Sequence, residues 1–463
     1  MRGHILILVT IAISMFLDGL DGTIVNVALP DIASSFGIGT GSTSWVITVY
    51  YLMMAGLILI FGRLCDIGAL KKVLICGMMM FTAGSLFCGL STSFMLLLAS
   101  RAFQGIGAAM LAASAVMIGV KYLPKEKIGL SMSLVVLGTS LGVAIGPSLG
   151  AVLTQMFSWH WIFFINVPIG MIAVLIAHAA IPVDKGLEKK DIDYVGSVIL
   201  FISIVSGLFA LERIPSVGLN TTGILALICC IVLFIIFCGY ERGKSVPVLK
   251  LSLFRNKNFD MASSAYVLVN VGIMGVIYIL PFFFRKIAGI DAIGSGALLS
   301  LQALSMIVCC LIVGKLSDKV GDRPFAMLSC AMMVLFTILA YTFDADSSTV
   351  ILGIGMLICG MIWGIGGGSM GARMIDALAD EDRGSGSSMI SFIMYFSSAL
   401  GTALFAGLFG MASGEGSGSI SDMAPDAFMD GYAVCLVIAV AMAILALIVS
   451  IALKMDRNAP DSD

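Results

Sequence analysis

Fourteen apolar runs, each long enough to cross a bilayer as a helix, leave this 463-residue chain little choice of fold. They centre near residues 16, 54, 82, 108, 142, 172, 202, 230, 272, 303, 334, 361, 396 and 442. Charged residues make up 12% of the chain, against about 25% in an ordinary soluble domain. The longest polar links, 182–193, 241–258 and 409–430, hold no room for a water-soluble domain. An all-α polytopic membrane protein is therefore expected, and the 52 glycines suit close approach of its helices. The first run does not read as a cleaved leader, because it passes through Asp18 and Asp21 to Pro30 with no small-residue cleavage site.

Lys and Arg fall almost wholly in alternate links. With the N-terminus inside, the outer links hold only Arg213, Arg285 and Lys286, and Arg101 lies within a helix. That asymmetry predicts a multi-pass protein of the cell membrane with both termini cytoplasmic. The chain also repeats: "GRLCDIGALKK" (62–72) follows the second run and "GKLSDKVGDRP" (314–324) the tenth, 252 residues later. Duplicated six-helix halves are typical of transporters. The expected division is a six-helix bundle at 1–182, a two-helix insertion with linkers at 183–258, and a second six-helix bundle at 259–463.

Four stretches carry motifs: "LDGTIVNVALP" (20–30), "GRLCDIGALKK", "LLASRAFQGIGAAM" (97–110) and "GTSLGVAIGPSLGA" (138–151). Together they resemble the major facilitator superfamily, and within it the fourteen-helix drug:proton antiporter branch. "WHWIFFINVPIG" (159–170) is similar to that branch's lead-in to the sixth helix, with His160 where an arginine is common. The resemblance implies two pseudo-symmetric bundles, alternating access, and a cytoplasmic gate built on Gly62, Asp66, Lys71 and Lys72 in one half and Gly314, Asp318 and Arg323 in the other. Ala69 and Leu70 depart from the first copy's usual glycine and arginine. It also implies that the fifth helix carries the antiporter motif, Gly138, Gly142, Gly146, Pro147 and Gly150. The stride of four puts these glycines on one face, a smooth groove for another helix, and Pro147 removes a hydrogen bond.

Asp21 lies about 12 Å from the outer end of its helix and Arg101 about 10 Å from the outer end of the fourth. They sit at matching depth, and the resemblance places both helices around a central cavity. Asp18 is one turn deeper than Asp21 on the same face, so one of the two is expected to hold its proton above the ordinary carboxylate range, since like charges in low dielectric disfavour double ionisation. Intramembrane acids are functional by default. Asn26 and Gln104 read as packing polar groups that could reach the same site. In the ninth run, Tyr266 and Asn270, with Met274 and Tyr278, form a mixed aromatic and polar stripe suited to an amphipathic guest.

Other chemistries find no support. The eleven cysteines lie in apolar runs without C-x-x-C pairs, and His4, His160 and His178 are not spaced as metal ligands. "GIGGGSMG" (364–371) lacks the ending of a phosphate loop. No catalytic constellation, nucleic-acid patch or obligate protein partner is evident, and no cofactor is implied beyond protons as coupling ion. The expected function is proton-coupled efflux of hydrophobic or cationic small molecules, in contact with membrane lipid. The alternative is a facilitator or importer of a polar metabolite.

Overall fold

The structure is a computed structural model that describes residues 2–184, 193–217, 220–242, 244, 253, 255–377, 383–414 and 423–452. Its helices are α1 (Arg2–Phe36), α2 (Thr40–Leu64), α3 (Leu70–Gly89), α4 (Phe94–Tyr122), α5 (Lys125–Met156), α6 (Trp161–Phe164), α7 (Asn166–Ala180), α8 (Tyr194–Val217), α9 (Thr221–Glu241), α10 (Lys257–Lys286), α11 (Ala292–Val320), α12 (Arg323–Tyr341), α13 (Thr349–Asp376), α14 (Arg383–Ala412) and α15 (Pro425–Ala452). Among the described residues thirteen stretches are long and apolar enough to cross a membrane, and α8 adds a shorter apolar segment, Val195–Leu211. Helices suit this setting because they satisfy their own backbone groups where no water is available. The sixth crossing is broken into α6 and α7 at Ile165. The last link is shorter than expected, because α14 runs to Ala412.

Even numbers of crossings return the chain to the face where α1 begins, here the termini face; the opposite one is the far face. Several helices that start on the far face are capped by short polar side chains. Ser93 accepts from the Leu96 amide at 3.3 Å, Asn220 from Gly223 at 2.7 Å and Asp291 from Gly294 at 2.8 Å.

Between α2 and α3 the chain kinks within Cys65–Ala69, where Gly68 takes φ +109°. At the matching place after α11, Gly321 takes φ +84°. Both turns thus place a glycine in the left-handed region that favours it. In the first copy that residue stands one position earlier, which is why Ala69 can occupy the motif's usual glycine position.

In the N-terminal half α1 packs along α5 and against α4 and α7, and α3 against α4 and α7; in the C-terminal half α10 packs on α13, α14 and α15, and α12 on α13 and α15. The glycine face of α5 receives α1. A Cβ at Gly142 would stand 2.4 Å from the Phe16 carbonyl oxygen and 2.5 Å from the Leu20 nitrogen, and at Gly146 2.2 Å from Thr23 Oγ1. The halves meet along two seams, α2 with α14 and α5 with α11. Helices α8 and α9 pair with each other, and α8 rests on both α2 and α14, with Phe201 filling the notch at Gly56.

Candidate functional site

The site is assembled on α1. Its apolar length buries Leu17, Leu20, Ile24 and Val25 against neighbours, and the same packing carries Asp21 into the interior of the N-terminal half with no exposed surface. Arg101 comes to it from α4 and is 1% exposed. Arg101 Nη1 donates to Asp21 Oδ2 at 2.6 Å and to Gln104 Oε1 at 2.7 Å. Gln104 Nε2 donates to Asp21 Oδ1 at 2.8 Å and to Ser85 Oγ at 2.7 Å. Asn166 Nδ2, at the start of α7, reaches Asp21 Oδ1 at 3.1 Å. Arg101 Nε donates to the Val46 carbonyl at 3.0 Å, and its guanidinium lies 4.2 Å from the centroid of the Tyr50 ring. One carboxylate thereby ties α1 to α4 and α7, and its cation extends the network to α2. Such density is what a buried ion pair requires, because unmet charge in low dielectric is costly.

Asp18 meets different company. It is partly exposed, and Tyr395 of α14 donates to its Oδ2 at 3.4 Å. Tyr395 stacks on Tyr51 of α2 with ring centroids 6.2 Å apart, and the Tyr51 hydroxyl donates to the Gly22 carbonyl at 3.3 Å. The two acids keep different partners: Asp21 lies within the N-terminal half and Asp18 on the seam between halves. Helix rotation of 100° per residue explains the split, since three residues leave a 60° divergence.

Asn26 is half-buried and stands apart from this network. Asn270 is fully buried and donates to the Met394 carbonyl at 3.0 Å and Ser397 Oγ at 2.7 Å, which ties α10 to α14. Tyr266 is 5% exposed and meets Trp363 edge to face at 5.6 Å. Tyr278 reaches across to the Thr40 carbonyl. Further bonds join the halves toward the far face: Arg285 to Asp31 at 3.2 Å, and Ser148 to Ser300 at 2.7 Å.

Of the gate residues, Lys71 Nζ donates to the carbonyls of His178 and Ile181 at 2.9 and 2.6 Å, closing the end of α7. Asp184 in return accepts the backbone amides of Lys71 and Lys72 at 3.1 and 3.2 Å. Each helix end is thus met by charge of the favourable sign. Arg323 Nη2 donates to the Ile451 carbonyl at 2.8 Å, within its own half. Gly62 lies in α2 and Gly314 in α11. The side chains of Asp66 and Asp318 lie outside the described residues. His160 is stacked on Trp159 at 3.6 Å, and burial pushes its imidazole below the ordinary histidine range.

Asn166, Ser85, Tyr50, Tyr51 and Tyr395 were not singled out from the sequence. A lone amide or phenol inside an apolar run was the available signal. Among the described residues no group of three or more His, Cys, Asp or Glu side chains is placed to hold a metal ion.

Comparison with known proteins places this arrangement. The profile described as Major Facilitator Superfamily matches residues 11–402. Riboflavin transporter RibZ of Clostridioides difficile (strain 630) is 30% identical over 409 residues, covering 87% of this chain and 87% of that protein. Multidrug transporter protein MdtP of Bacillus subtilis (strain 168) is 28% identical over 401 residues, covering 86% of this chain and 73% of that protein. In shape, the human organic anion transporter MFSD10 (TETRAN) aligns over 96% of this chain and 99% of its own with TM-score 0.64, at 15% identity, a likeness of fold. With these matches and its transmembrane helices, the chain belongs to the major facilitator superfamily: it is a multi-pass membrane transporter of small molecules, and not an enzyme.

Proposed function

We propose that this transporter exports a small amphipathic molecule in exchange for protons. The bundles at 1–182 and 259–463 alternate access around it, the insertion at 183–258 lies at their side, and both termini are cytoplasmic. The observation that carries the reading is a pair of acids at mid-depth, one locked to Arg101 and one on the seam between halves. Intramembrane carboxylates so placed serve proton paths. One proton entering down 100 mV supplies about 2.3 kcal/mol, enough to hold one neutral solute at a roughly fiftyfold gradient, whereas a monovalent cation exchanged one for one is driven by the pH gradient alone. The name of MdtP, a multidrug transporter, favours drugs as cargo. The glycine face of α5 lets α1 slide closely against it, and the links at Lys71 and Arg323 are the proposed gate parts on the termini face, with Asp66 and Asp318.

The name of RibZ, a riboflavin transporter, favours a metabolite as cargo, which suits the second reading, a facilitator or importer of a polar metabolite. Purified protein in proteoliposomes with an imposed pH gradient separates the two, using ethidium and riboflavin as probes. Gradient-driven accumulation of a probe, with matching proton flux in the opposite direction, is the expected result. Equilibration that ignores the gradient assigns the facilitator.

A further inference from the structure

We infer that Asp18, and not Asp21, is the carboxylate that takes up and gives off the coupling proton, with Tyr395 as its positioning partner across the seam. The inference rests on the proton-coupled reading above.

Asp21 is ill suited to the role. Both its oxygens are engaged, Oδ2 by Arg101 and Oδ1 by Gln104 and Asn166, and it has no exposed surface. A proton placed on it would strand the Arg101 cation in the interior, where an uncompensated charge is disfavoured. The guanidinium is further fixed by the Val46 carbonyl and the Tyr50 ring. Proton uptake there requires taking apart a network anchored on several helices. Asp21 with Arg101 is a strut.

Asp18 differs on each count. It is partly exposed, and its bond from Tyr395 is long, 3.4 Å. Among the described residues no cation stands within ion-pair distance of it. The titratable and charged groups around it are Asp21 on α1, Tyr50 and Tyr51 on α2 and Tyr395 on α14. Arg101 on α4 and Tyr266 on α10 lie farther out and interact with those tyrosines. Helix α5, packed along α1, meets Ala12, Met15, Phe16 and Leu20 through Gly138 and Gly142, beside Asp18 and not on it.

The chemistry follows from the partner being on the other half. The ionised carboxylate accepts the Tyr395 hydroxyl in a charge-assisted bond, which links α1 to α14. When water at an open face delivers a proton to a carboxylate oxygen, the charge is gone and that bond weakens to a neutral one. The tyrosine keeps its own proton throughout. When the site opens to the opposite face, Asp18 returns the proton to water there and regains Tyr395, so one proton has crossed per cycle. The Asp31–Arg285 pair lies thirteen residues along α1 from Asp18, about 20 Å away. The two cross-half contacts can therefore break at separate steps.

The test compares wild type, Asp18→Asn and Tyr395→Phe in the pH-gradient proteoliposomes with ethidium and riboflavin, alongside infrared difference spectra of the purified proteins between acid and alkaline pH. Asp18→Asn should melt like wild type, lose its response to the gradient, and lose the carboxylic-acid band that appears on acidification. Tyr395→Phe should stay gradient-driven with its pH profile moved upward by about one unit or less, because the ionised form has lost a donor. Gradient-driven transport by Asp18→Asn at the wild-type rate overturns the inference. If wild type itself ignores the gradient, the exporter reading fails. The band then decides separately: its disappearance in Asp18→Asn keeps Asp18 as the titrating acid, and its persistence removes it.

Discussion

The two halves bury polar groups on the helices that open each of them, yet they do so in different currencies of charge. In the N-terminal half α1 contributes Asp21 to an ion pair with Arg101, completed by Gln104, Asn166 and Ser85. In the C-terminal half α10 contributes Asn270, which meets Ser397, Ser398 and the Met394 carbonyl. The neutral network loses a few hydrogen bonds when one member is removed. The ionic one loses its neutrality. A repeated architecture thus carries a different penalty for error in each half.

The largest expected effect follows from that contrast. Arg101→Leu leaves Asp21 buried and unpaired, and should lower stability by about 3–5 kcal/mol, read as a loss of thermal stability in detergent. Arg101→Leu combined with Asp21→Leu should recover most of this, since an apolar pair can replace a buried ion pair at little cost. A double variant as unstable as the single one would show that the hydrogen bonds, and not the charge, set the difference between halves. Asn270→Ala should cost less, about 1–3 kcal/mol, as Ser397 and Ser398 retain bonds to carbonyls of their own helix. A larger loss than for Arg101→Leu would reverse the comparison. Smallest is Asp31→Asn at the far face, where the pair with Arg285 is about a third exposed on each side. Its effect on melting should stay under about 1 kcal/mol, while labelling of a cysteine placed at Gly37 should rise if the contact holds that face shut.

Much of the fold was legible because a helix of bilayer length leaves a long, unambiguous apolar signature. Matching depth brought Asp21 and Arg101 together only with the resemblance, which set both helices around one cavity. The separate fates of Asp18 and Asp21 were not legible, because they depend on Tyr395, 377 residues away along the chain. Asn166 was hidden for a related reason: an isolated amide in "FINVPIG" has no periodic partner to flag it. The shift of the positive φ from position 69 to Gly68 and the clasp between Lys71 and α7 arise from local backbone choices. Motif spacing carries no information about those.

The seating of α8 makes the two seams unequal. Because α8 lies over both α2 and α14, with Phe201 lodged at Gly56, one of the two doorways between the halves is shuttered on its membrane side. The doorway between α5 and α11 has no such shutter among the described helices, and Leu141, Ile145, Leu304 and Val308 nearby are exposed. The molecule therefore has a front and a back, and the uncovered seam is the one where Gly296 lies against Pro147 and Ala151.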